Sequence, residues 1–123
     1  MALDKIKNTP KWVSFNIIKA YNLNYVNANG SQMTAEKCEE LKLLHLYGRF
    51  ETNTALEAYA NVPLVEIESS YAPNKPVGFC VINDNQSRVH DFYIGTDCKI
   101  RFSDVTRIGG ACNLDYDFIF RYA

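Results

Sequence analysis

Thr34-Ala35-Glu36-Lys37-Cys38-Glu39-Glu40-Leu41-Lys42-Leu43-Leu44-His45-Leu46-Tyr47-Gly48 is the stretch on which the fold class turns. Thr34 is a good helix N-cap, Glu36 falls in a first turn where a carboxylate suits the macrodipole, and Gly48 is a residue at which helices stop. Cys38, Leu41, Leu44 and His45 recur at helical spacing between them. The pattern predicts a helix over 34–48 with His45 on its apolar stripe.

The flanking segments extend that reading. Thr9-Pro10 has the form of an N-cap followed by proline at the first helical position, and Val13, Ile17 and Tyr21 then share one stripe of a helix over 11–21. Val13, Phe15 and Ile17 also alternate with Ser14 and Asn16, so a strand competes for the same residues. Asn22 to Ser31, rich in Asn and Gly, predicts turns around a short extended piece at Tyr25-Val26. Thr54-x-x-Glu57 is a capping box that predicts a short helix through Tyr59, ending before Pro63.

From Leu64 the pattern becomes that of strands. Leu64–Ser69, Val77–Ile82, Arg88–Ile94, Cys98–Val105 and Leu114–Tyr122 are short apolar or alternating runs separated by turn residues. A three-residue loop at Gly95-Thr96-Asp97 would set Ile94 against Cys98, Phe92 against Ile100 and His90 against Phe102 on a core face. Tyr93 with Lys99 and Asp91 with Arg101 would lie on the other. Across the turn at 84–87, the same alternation sets Phe79 beside Phe92 and Val81 beside His90. The expected class is α+β: N-terminal helices packed on a mainly antiparallel sheet of five or six strands.

The 123 residues are enough for one core and too few for two, so a single domain over 1–123 is expected. An apolar fraction of 47% with 22% charged residues excludes a disordered chain. A net charge of -1 argues against a partner such as duplex nucleic acid, which needs a basic field. Met1-Ala2-Leu3-Asp4-Lys5 does not read as a secretory leader, and no run of eighteen apolar residues suggests a membrane span, so a cytoplasmic location without membrane association is expected. Cys38, Cys80, Cys98 and Cys112 lack zinc-ligand spacing and read as buried free thiols; a Cys80–Cys98 disulfide is the competing reading.

P-loop, dinucleotide-binding, HExxH, GxSxG and EF-hand patterns are all absent. His90, assigned to the core face, reads as a hydrogen-bonded structural histidine rather than a base for Cys80 or Cys98. Asp115-x-Asp117 puts two carboxylates on one strand face, where Asp104 as a third would give a magnesium site; an outward polar face is the plainer account. Arg107-Ile108-Gly109-Gly110 is the most suggestive segment, because adjacent glycines expose backbone N–H groups and an arginine beside them would complete an anion pocket. Arg49, Arg101, Phe92 and Tyr93 add the fork and ring chemistry that suits a phosphate and a base.

Compact size, an Asn-, Tyr- and Ile-rich composition and the lack of catalytic signatures resemble in style the small accessory proteins of bacteria and their phages, many of which act by binding. The expectation is a non-enzymatic binding protein without metal or cofactor, sequestering a small anionic or nucleotide-type ligand to counter a host pathway. Its site would be Arg107, Gly109 and Gly110, with Arg49, Arg101, Phe92 and Tyr93 in support. Cys80, Ile82 and Val89 on the nominally polar sheet face ask for a cover, so a homo-oligomer is expected. An inhibitor or adaptor acting on a host protein is the alternative, and a small metal-dependent hydrolase or nuclease using Asp104, Asp115 and Asp117 is the second.

Overall fold

The computed structural model describes residues 11–85 and 87–123, and its architecture is built from strands. They are β1 (Val13–Phe15), β2 (Ile18–Tyr21), β3 (Gln32–Cys38), β4 (Leu43–Glu51), β5 (Pro63–Ile67), β6 (Val77–Asn83), β7 (Arg88–Ile94), β8 (Lys99–Phe102) and β9 (Asn113–Arg121). A 3-10 turn at Ser69–Tyr71 is the one helical element among the described residues. All pairings are antiparallel, in the order β1-β3-β4-β9-β6-β7-β8-β5-β2.

This corrects the α+β expectation. The five strands expected after Leu64 are present, but the N-terminal helices are replaced by four more strands. Residues 34–48 divide between β3 and β4, with a turn at 39–42 in which Lys42 takes a φ of 52°. The residues that decide it are Leu44, Leu46 and Phe50: all three are fully buried, two or four residues apart, and face inward as a strand requires. β4 pairs along its nine residues with β9, so distant strand partners override a helix signal that is entirely local.

Gly48 has φ 148° within β4, and a Cβ there would collide with the Gln32 carbonyl oxygen and lie 3.1 Å from the Tyr116 hydroxyl. It permits a close approach rather than ending a helix. The capping-box helix at 54–59 does not form either. Leu56 exchanges two backbone hydrogen bonds with Ile108, at 2.8 and 2.9 Å, which draws that segment into an extended bridge. In the first segment the alternating reading prevails as β1 and β2, while Thr9-Pro10 lies outside the described residues.

The two edge strands are consecutive in sequence. β1 and β2 are separated by Asn16 and Ile17, so the opposite margins of a nine-stranded sheet lie within about 11 Å of chain. The sheet therefore curls into a half-barrel around one core. Ile17 is buried, and its carbonyl accepts the Glu68 N–H at 3.0 Å, which ties the junction to the far side.

Aromatic contacts run along the interior. Phe79 and Phe118 stack at 3.8 Å, Phe50 and Tyr116 at 4.4 Å, and Phe92 meets Phe102 edge-on at 5.6 Å. Each such pair contributes about 0.5–1.5 kcal/mol beyond area burial. One end is closed by Tyr71, packed on Phe15 and Tyr122. The other is closed by the loops around Val26, Thr52 and Ile108; the buried Thr52 hydroxyl donates to the Gly109 carbonyl at 3.0 Å and accepts the Cys112 N–H at 2.9 Å.

Candidate functional site

With the core inside the curl, the outer face of β3, β4, β9, β6 and β7 carries the side chains whose placement the core does not explain. Its centre is His45. Nδ1 lies 3.2 Å from Glu36 Oε1, its cross-strand partner, and Nε2 lies 2.6 Å from Asp117 Oδ1, its diagonal neighbour on β9. A neutral imidazole could donate to only one of these carboxylates, whereas an imidazolium donates to both. Tyr47 packs on the ring at 4.8 Å and Trp12, 41% exposed, meets its edge at 6.3 Å.

The cluster borders an apolar stretch. Ile82, Val89 and Ile119 are all exposed, and a shallow depression of about 340 Å³ is lined by Cys80, Ile82, Val89, Asp115, Tyr116 and Asp117. Cys80 pairs in register with Asp91, so carboxylates border the apolar residues on β7 and on β9. The whole is an acidic, aromatic and apolar surface carried mainly on strands rather than loops, which suits a pre-organised binding surface.

The arginines expected to hold an anion are each matched by carboxylates. Arg49 contacts Asp115 at 2.8 Å and Asp84 at 3.2 Å; its guanidinium holds the Asp115 carboxyl below the ordinary range, while a hydrogen bond with Asp115 pushes Asp84 up. Arg101 is bidentate to Asp97, at 2.9 and 2.6 Å. Arg107 meets Glu57 at 2.8 Å on the surface. Arg101, Tyr93 and Arg107 do gather along residues 57–63: Arg101 pairs in register with Pro63, Tyr93 donates its hydroxyl to Asn61 at 2.7 Å, and Arg107 holds Glu57. Arg49 stands four strands from Arg101, about 19 Å along the sheet.

The remaining candidates have other employment. Phe92 is buried in the core, the Gly109 carbonyl serves Thr52, and Gly110 lies beside the Asn53 backbone. Asp104 is buried against His90 at 2.7 Å, and no group of three or more His, Cys, Asp or Glu suited to a metal ion occurs among the described residues. His90 is the structural histidine expected. The four cysteines are free, but only Cys38, Cys98 and Cys112 are buried. No helix among the described residues is long and apolar enough to cross a membrane.

The His45 cluster was missed because the helix reading placed His45 among the leucines. A hairpin turning at Glu39-Glu40-Leu41-Lys42 would have set Glu36 opposite His45 from the sequence alone.

No protein-family model matches the chain, and no curated protein matches it. Among solved structures, the chain is similar to the receptor-binding head domain of lactococcal phage bIL170, with a TM-score of 0.59 and 8% sequence identity over 93% of this chain and 99% of that one. Identity at that level is a likeness of fold, and the fold they share is the curled antiparallel sheet.

Proposed function

We propose that this chain is a non-enzymatic, phage-type binding domain that recognises a ligand on a cell surface through the outer face centred on His45. The observation that carries this reading is the cluster itself. Two aromatic rings, two carboxylates and an imidazole gather on the outer face of β3, β4 and β9 and at Trp12 just before β1, beside an apolar depression and outside the buried core. The fold-level likeness to a receptor-binding head domain supports the class of function. Glu36, Asp91, Asp115 and Asp117 outnumber Arg49 and Arg121 on this face, and Arg49 is held by Asp115 and Asp84, so the face suits an uncharged or cationic group better than an anion.

Fluorescently labelled protein applied to intact Lactococcus cells and to a panel of other bacteria tests the reading. The expected result is saturable retention on a subset of strains, lost in the Trp12→Ala and His45→Ala variants while both keep the native circular dichroism spectrum. Retention equal to wild type in both variants would remove the site, and absence of retention on every strain would remove the function.

A further inference from the structure

Away from the sheet face, the loops 53–62 and 103–112 are fused into one platform. Leu56 and Ile108, both fully buried, bond to each other in both directions. The Tyr59 N–H donates to the Asp104 carbonyl at 3.0 Å, and the Asp104 side chain is anchored in turn on buried His90. On this support the chain holds Tyr59 at φ 59°, a conformation unfavourable for an aromatic residue, with 73% of its surface exposed. Val105, next to the Asp104 that receives this bond, is 60% exposed. The solvated Glu57–Arg107 pair lies on the same two loops.

We propose that this platform is a self-association surface through which two copies of the chain pair about a two-fold axis. An isologous contact requires a patch that is its own complement: each residue must meet the partner of its counterpart. Glu57 and Arg107 meet that requirement, since a two-fold rotation lets each acid face the other copy's base. Tyr59 and Val105 supply the apolar contact, and tyrosine and arginine are residue types that dominate interface energies. The outer sheet face is the rival surface, and a dimer formed through it would be indifferent to charge reversal at Glu57 or Arg107, which lie on the platform loops. The proposal stands independently of the ligand assigned to the sheet face.

Sedimentation velocity of the full chain across micromolar concentrations tests it. Wild type is expected to form a dimer. Glu57→Arg and Arg107→Glu should each give monomer by placing like charges across the axis, and the double variant carrying both should restore the dimer. Tyr59→Ser should weaken dimerisation at least about tenfold. Near-native melting temperatures in each variant separate loss of association from loss of fold. A wild type that stays monomeric, or an oligomer indifferent to the reversals and to Tyr59→Ser, would overturn the assignment.

Discussion

Tyr116 donates its hydroxyl hydrogen to the carbonyl oxygen of Gln32 at 2.8 Å, crossing the inside of the sheet over Gly48. The bond joins β9 to β3 past the intervening β4, and it exists because residue 48 has no side chain. Gly48→Ala places a methyl group on the Gln32 carbonyl and forces an L-residue to φ 148°. The expected loss in urea denaturation is about 2 kcal/mol or more, since strain and a displaced hydrogen bond combine. Tyr116→Phe should cost only about 1 kcal/mol, the net worth of one such bond. Equal losses in the two variants would show that the steric argument is wrong.

The His90–Asp104 pair makes a second prediction. His90 Nδ1 is satisfied by Asp104 at 2.7 Å, whereas buried Nε2 has no hydrogen-bond partner among the described residues. Asp104→Ala leaves both ring nitrogens unpaired in the core and is expected to cost about 1–3 kcal/mol. Combining it with His90→Leu removes the polar groups together, so the double variant should be more stable than the sum of the single losses allows. A double-mutant cycle by chemical denaturation gives the coupling; strict additivity would mean that the ring is satisfied in some other way.

What could be read from the sequence depended on how far apart in the chain the paired partners lie. The β6–β7 register, with Phe79 on Phe92 and Val81 on His90, was accessible because a short turn and a period-two pattern determine it together. The β7–β8 register slipped by two residues, to Phe92 on Phe102 and Ile94 on Ile100, because the loop is longer than three residues. Gly95 N–H bonds to the Lys99 carbonyl, and Cys98 turns at φ 64°. A slip of two leaves every side chain on its face, so the core assignment survived the error, and so did the exposure of Cys80, Ile82 and Val89. Residues 34–48 were misread because their caps are local whereas the strand that decides them, β9, is about seventy residues away. The His45 site went with that error.

Acid titration tests the Asp97–Arg101 fork. Its hydrogen bonds from Arg101 hold the Asp97 carboxyl down to about 2. A carboxyl depressed in the folded state stabilises it fully above the unfolded value, about 3.9, and that contribution is lost as pH falls through the folded value. Asp97 is half-exposed, so solvent screening keeps the effect on stability small and the titration midpoint is the better readout. Carbon NMR of the side-chain carboxyl should give a midpoint near 2, returning to the ordinary aspartate range in Arg101→Gln. A wild-type midpoint already in that range would mean that the fork is open in solution.

Thiol reactivity separates Cys80 from the other cysteines and reports on the proposed ligand face at once. Cys80 is exposed on β6 at the edge of the apolar depression, while Cys38, Cys98 and Cys112 are buried, and burial further pushes the Cys98 thiol up, which lowers its thiolate fraction. Under native conditions iodoacetamide should therefore modify one cysteine rapidly, identified as Cys80 by peptide mass mapping, and reach the other three only after unfolding. Because Cys80 lies beside Asp117, which holds His45, a cell-surface ligand seated on this face should slow that reaction when the protein is pre-bound to cells that retain it. Modification of Cys98 or Cys112 at the rate of Cys80 would reveal opening of the core. An unchanged Cys80 rate on binding cells would move the ligand off the depression and leave Trp12, His45 and Tyr47 as its contact.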